Sequence, residues 1–333
     1  MSIRSVCLFV LGCVLTASAS AQAPARVTPV RVITFPGGAN LPLWVAEDKG
    51  LYAREGLAVK VSPTPNSIVL VQSLMKGEQD IALSAFDNIV AYQEGQGEVP
   101  LDPAPDFFAF MALSHGTVRL VAAADIATIA DLKGKTLAVD AVATGYSLAL
   151  MKLLGQAGLK EGDYKLESIG GTAVRARALM DGKTPATILT TPLELAPEAR
   201  GFRRLASIVD AVGPYQTIVG MTRRSWAANN RDAVVGFTRA TVAALDWVLD
   251  PANRAEAAAI YRKYLPDVPE AAATGAVAAM TGEREGFQRG GAFDRAGLAT
   301  VLAIRSEFGK PQKSLTDPAR YVDDGYLRAA AAR

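Results

Sequence analysis

Asp87 and Asp140 offer the most definite chemistry in this chain. Each stands at the carboxyl end of an apolar run, Ile81-Ala82-Leu83-Ser84 and Leu137-Ala138-Val139, just ahead of a segment with helical character. In an open α/β sheet a ligand sits outside the carboxyl ends of the strands. A carboxylate there either meets the ligand, favouring one with N–H groups or positive charge, or caps its own helix. Arg175 is the opposite charge in a comparable place. Its planar fork suits a carboxylate or sulfonate, and the alternative is a solvated face like that of Arg177. His115 is the only histidine. One imidazole cannot build a multi-histidine metal site, which leaves a structural hydrogen bond or a ligand contact. No catalytic constellation, cofactor site or metal site can be assembled from these residues, and the chain reads as a binding protein rather than an enzyme.

Small and polar residues cluster in the same loops. Phe35, Gly38 and Asn40 follow the first apolar run; Asn66 and Ser67 follow the second; Ser84, Phe86 and Asn88 surround Asp87. Further on come Thr144, Gly145 and Tyr146 after Asp140, Gly171 and Thr172 before Arg175, and Thr191 after the run Ala186–Thr190. These residues, with Asp87, His115, Asp140 and Arg175, are the expected ligand contacts. Phe86 is divided between ligand contact and core, and Trp44, one turn into its helix, is read as core. Helices are expected to open near Asn40, Ser67, Asn88, Tyr146 and Ala173. Their unpaired N–H groups can hold an anionic or hydrogen-bonding ligand without a charged side chain.

The elements that must position these loops alternate strand, loop and helix. Val30–Thr34, Leu57–Val61 and Ile81–Ser84 read as strands. Asn40 is expected to cap the first helix with Pro42 in its first turn, and Asn66 or Ser67 the second. Gly50 and Gly77 are expected to stop them. Phe107–Leu113 and Arg119–Ala123 read as strands, broken by Ser114-His115-Gly116-Thr117. Another strand–helix alternation runs from Thr136 to Thr190, and Val212–Met221 reads as an extended return crossing. From Ser225 onward the chain is alanine-rich and helical. The order breaks near residue 115 and returns near 217. The expected organisation is therefore a lobe of two pieces, 30–114 and 218–333, with a continuous lobe, 115–217, inserted between them.

Two stretches carry a family resemblance. Pro42-Leu43-Trp44-Val45-Ala46-Glu47-Asp48-Lys49-Gly50-Leu51-Tyr52, followed by Glu55-Gly56-Leu57, resembles the early signature of type II periplasmic substrate-binding proteins. Asp131-Leu132-Lys133-Gly134-Lys135-Thr136-Leu137-Ala138-Val139 resembles the run that enters their second lobe. The nearest group is the nitrate/sulfonate/taurine and thiamine-pyrimidine-precursor type of ABC importer. The resemblance implies an α/β fold of two lobes with a ligand cleft between them, joined by a two-segment hinge. It also implies a small-molecule ligand, separate permease and ATPase subunits as partners, and a monomer. The contacting loops it implies are 35–42, 65–67, 84–88, 140–146 and 170–172. Two other readings use the same fold: a ligand-sensing subunit, and an enzyme like the pyrimidine-precursor synthases, which depend on a cysteine-rich motif.

The compartment follows from the first residues. Arg4, the apolar run Val6–Leu15 and Ala19-Ser20-Ala21 resemble a secretory signal, too short for a bilayer-spanning helix of about 20 residues. The mature chain is expected to start at Gln22 in the periplasm; the alternative is lipidation at Cys13. Both cysteines, Cys7 and Cys13, fall in this segment, so the mature chain of roughly 310 residues would lack disulfides and must be held by its core, normally as two domains. A formal charge of +2, falling by one with Arg4, gives no reason to expect nucleic acid as a partner.

Overall fold

The computed structural model describes residues 27–332. The expected signal segment, with its cleavage at Ala21 or lipidation at Cys13, lies outside the described residues. The first lobe opens with β1 (Thr28–Thr34), α1 (Leu41–Asp48) and α2 (Leu51–Arg54), then β2 (Leu57–Pro63) and α3 (Ser67–Met75), β3 (Ile81–Ala85) and α4 (Phe86–Gln93), and β4 (Phe107–Ala112). The short β5 (Ser114–His115) leads out. The second lobe holds β6 (Val118–Ala122), β7 (Thr136–Val139), α5 (Gly145–Gln156), β8 (Lys165–Ser168), α6 (Thr172–Met180) and β9 (Ala186–Thr190). It closes with α7 (Leu195–Glu198), β10 (Arg203–Ser207) and α8 (Ile208–Val212). The chain returns through β11 (Ile218–Arg223) to α9 (Arg224–Asn229), α10 (Arg231–Leu249), α11 (Arg254–Tyr264) and α12 (Glu270–Met280). The last elements are β12 (Gly286–Phe287), α13 (Arg295–Phe308) and α14 (Gly325–Ala331). None of the described helices is long and apolar enough to cross a membrane.

Each lobe is built on its own five-stranded sheet. The first has the order β2-β1-β3-β11-β4 and the second β10-β6-β9-β7-β8. β1 pairs in parallel with β2 and β3, and β7 with β8 and β9, so their carboxyl ends face one way in each sheet. β11 runs antiparallel between β3 and β4. The expected extended crossing at Val212–Met221 starts later than read: Val212 ends α8, residues 215–217 cross back beside 114–116, and Ile218 begins an interior strand of the sheet. The strand fits there because Gly220 lies flat on the neighbouring strand. A Cβ at that position would come within 2.8 Å of Phe110 and 3.0 Å of Met111.

Two crossing segments join the lobes and hold each other. Gly116 N–H donates to the Tyr215 carbonyl (2.8 Å), and Thr217 N–H to that of Ser114 (3.3 Å). The Ser114 and Thr217 hydroxyls are 2.9 Å apart, and Gln216 Nε2 donates to the Ser114 carbonyl at 2.9 Å. One apolar core packs strand residues of the first lobe's sheet against α1, α10 and α11, from Val30 and Leu43 to Phe237 and Leu245. A second runs through both lobes: Leu298, Val301 and Leu302 of α13 join Ile89 and Val90 of α4 and Leu148 of α5. α13 therefore packs on a helix from each lobe.

Candidate functional site

A cavity of about 80 Å³ lies between the two sheets, at the carboxyl ends of their parallel strands. The starts of five helices reach it: Asn40 ahead of α1, Ser67 of α3, Asn88 of α4, Gly145 and Tyr146 of α5, and Thr172 and Arg175 of α6. The rest of its wall mixes apolar groups, among them Phe35, Leu83, Leu193, Ile218, Met280 and Phe287, with the polar Thr34, Ser114, Thr117 and Thr190. The space takes several waters or a small solute.

Local hydrogen bonds set each wall. Asn66 caps α3, its Oδ1 accepting from Val69 N–H at 2.9 Å, which places Ser67 in the first turn. Asn40 was expected to cap α1, but its side chain does not. It accepts from the Thr34 hydroxyl (2.9 Å) and donates to the Phe35 carbonyl (2.8 Å), folding the loop that carries Phe35 and Gly38 back on itself. Gly38 leaves room for the Tyr261 ring, on which a Cβ there would land. Asn88 Nδ2 donates to Ser84 Oγ at 2.7 Å, so Ser84 stands behind Asn88 and does not line the cavity.

The two lobes touch across the rim. Gly171 N–H donates to the Pro65 carbonyl at 2.9 Å. Asp140 Oδ2 accepts from Ser67 N–H at 3.1 Å and from the Ser67 hydroxyl. Arg305 Nη2, from α13, donates to the Ala143 carbonyl at 2.8 Å. Glu98 accepts from Ala143 N–H at 2.8 Å.

Twelve of the expected contacts line the cavity: Phe35, Gly38, Asn40, Ser67, Asn88, Asp140, Thr144, Gly145, Tyr146, Thr172, Arg175 and Thr191. Six do not. Asn66 is the α3 cap and Ser84 supports Asn88. Phe86 is fully buried in the core, edge-on to Tyr321 with ring centres 6.4 Å apart. His115 is spent on the hinge, where its backbone pairs with Gly286 and Gln216. Gly171 is a rim strap, because a Cβ would lie 2.9 Å from Phe35 and 3.0 Å from the Pro65 carbonyl. Asp87 neither caps its helix nor lines the cavity. It forms a buried two-point ion pair with Arg305, with Nε–Oδ1 at 2.8 Å and Nη2 on Oδ2.

Arg175 is wholly buried and holds α6 to its own sheet. Nε and Nη2 donate to the Ile188 carbonyl (3.1 and 2.9 Å), Nη2 to Thr172 Oγ1 (3.2 Å) and Nη1 to the Gly170 carbonyl (2.6 Å). Burial pulls its pKa down to about 10, and the nearby Asp140 charge opposes that shift. Burial likewise pushes the Tyr146 phenol up, against the pull of Arg175. Thr191 gives its hydroxyl to Glu194 Oε1 (2.7 Å), a carboxyl raised above its ordinary range by burial. The sequence reading missed Met280, Phe287 and Ile218 in the wall, and Arg305 behind it. Among the described residues no group of three or more His, Cys, Asp or Glu is placed to hold a metal ion.

A sequence profile described as NMT1/THI5 like matches residues 39–255. The chain belongs to that family. The candidate binding protein YtlA of Bacillus subtilis (strain 168) is 31% identical over 218 residues, a match covering 62% of this NMT1/THI5-like chain and 62% of YtlA. Solved structures share the architecture at low identity. The periplasmic nitrate-binding protein NrtA from Synechocystis PCC 6803 superposes with a TM-score of 0.76 at 14% identity, covering 92% of this chain and 88% of its own. The alkanesulfonate-binding protein SsuA from Xanthomonas axonopodis pv. citri, bound to MOPS, gives 0.69 at 19%, covering 91% and 99%. The α/β, two-lobed fold of type II periplasmic binding proteins expected from the sequence is the fold of this chain.

Proposed function

We propose that this protein is the periplasmic solute-binding component of an ABC-type importer. It captures a small organic solute between its lobes and hands it to a membrane permease served by a separate ATPase. The observation that carries the reading is the cavity itself. It is enclosed by helix starts from both lobes and spanned at its rim by hydrogen bonds between them. Hinge motion about the paired segments 114–117 and 215–217 would open that rim and admit the solute. On this reading the lobes divide at 115 and 217, the chain is exported by its first 21 residues, and it acts as a monomer without enzymatic turnover. The family match and the binding proteins among its relatives support it.

The test is a thermal-shift and calorimetric screen of the chain from Gln22, refolded to strip carried-over solute, with small-angle scattering on each hit. A solute at 100 times its dissociation constant should stabilise the protein by about 2.7 kcal/mol and shrink its radius of gyration. Tight binding without compaction would refute hinge closure.

A further inference from the structure

Asp140 has one oxygen committed and one free. It follows β7, and its Oδ2 accepts both donors of Ser67, so a carboxylate from the second lobe occupies the start of α3 in the first. Its Oδ1 is buried and has no hydrogen-bond partner among the described residues. Tyr146 Oη is in the same condition. Both residues line the cavity.

A helix start is where an oxyanion is ordinarily held. Here the protein's own carboxylate already fills the start of α3, and a second negative charge beside Asp140 meets repulsion. The cation in the wall, Arg175, spends four of its five N–H groups on its own lobe, so no two-point fork is left for a guest. A buried carboxylate oxygen accepts only, so what it lacks is a donor.

We propose that the solute carries an N–H donor head, of the amide or amidinium kind, which it gives to Asp140 Oδ1, and that the cavity discriminates against bare oxyanions. This rests on the solute-binding reading above. The apolar wall of Phe35, Leu193, Ile218 and Phe287 takes the rest of the solute. Asp140 is then the residue that sorts ligands, and its companion Tyr146 Oη takes or gives a second hydrogen bond.

The probes are two matched trios, acetate, acetamide and acetamidine, and benzoate, benzamide and benzamidine, with methanesulfonate and nitrate as further oxyanions. Calorimetry should rank the amide or amidinium of each trio at least about tenfold tighter than the carboxylate. Asp140→Asn should erase that order. Ser67→Ala removes the hydroxyl bond of the same cross-lobe strap, keeping its backbone N–H bond and the carboxylate, so it should weaken every member of a trio by one factor. An oxyanion binding more tightly than the amides in the wild type, an unchanged order in Asp140→Asn, or a reversal produced by Ser67→Ala alone would overturn the proposal and leave the solute-binding reading standing. Native mass spectrometry of protein purified without refolding supplies the other arm. A carried-over solute lacking N–H groups overturns the proposal alone. Neither a carried-over solute nor a binder among the probes overturns the solute-binding reading and the proposal with it.

Discussion

Replacing Asp87 by Asn separates two roles that the sequence leaves open. The carboxylate is 2% exposed and its partner Arg305 is 0% exposed. The pair is joined at two points, and Arg305 also donates to the carbonyls of Gln96 (3.1 Å) and Ala143. Unit charges about 4 Å apart attract by about 4 kcal/mol at an effective dielectric of 20. Removing one partner of a buried pair costs about 3–5 kcal/mol, because the other charge stays desolvated and uncompensated. At about 2–4 °C per kcal/mol for large domains, Asp87→Asn should lower Tm by about 6–20 °C in differential scanning calorimetry. Solute affinity should change by less than about tenfold, since Asp87 does not line the cavity. Replacing both partners by apolar residues of similar volume, Asp87→Leu with Arg305→Met, should recover most of the loss. A Tm within 2 °C of wild type, as an order-of-magnitude bound, together with collapsed solute affinity would refute this account and return Asp87 to the ligand.

Other substitutions test the walls. Gly38→Ala pushes a methyl into the Tyr261 ring and should destabilise by about 1–3 kcal/mol; Tyr261→Leu in the same chain should restore most of it in urea unfolding. Asn66→Ala removes the cap of α3 and should cost about 1 kcal/mol by the same assay. Alkaline pH should unfold the protein through its buried tyrosines. Burial pushes Tyr92 and Tyr261 up to about 12, and Tyr52 and Tyr146 also upward. A folded pKa raised above the unfolded value near 10 gives stability that is complete below pH 10 and is lost as pH climbs toward 12. Urea midpoints that stay flat across that window would contradict it.

What could be read from the sequence is what depends on near neighbours. The Asn66 cap, the loops after β1, β2, β3 and β7, and the five helix starts all follow from residues within a few positions of one another. β10 was missed because Arg203-Arg204 opens it with two charges. It is an edge strand, paired only to β6 with a register shift between Arg204 and Ala206, and edges tolerate charge. Asp87 and Asp140 looked alike in sequence, since each follows a buried strand. Their fates are set by Arg305, 218 positions along the chain from Asp87, and by Ser67, 73 positions from Asp140. A polar side chain in a loop announces that it needs a partner; the partner is chosen by the packing of α13 and by the meeting of the lobes, which no local pattern encodes.

The two carboxylates are placed reciprocally. Asp140 of the second lobe sits at the start of α3 in the first lobe. Asp87 of the first lobe packs on Gly145 at the start of α5 in the second, a fit open only because Gly145 has no Cβ. Each helix start thus meets a carboxylate from across the cleft, the favourable sense for its dipole, with the Asp87 charge shared with Arg305. On the proposed hinge closure these contacts belong to the closed form, whatever solute it holds. A solute shifts the balance between open and closed forms only by its differential affinity for the two, so straps common to the empty and the filled closed forms reduce what the solute itself must supply. That is why Ser67→Ala should weaken all solutes alike. It lowers the closed fraction on which every apparent affinity depends, and it leaves untouched the oxygen that tells one solute from another.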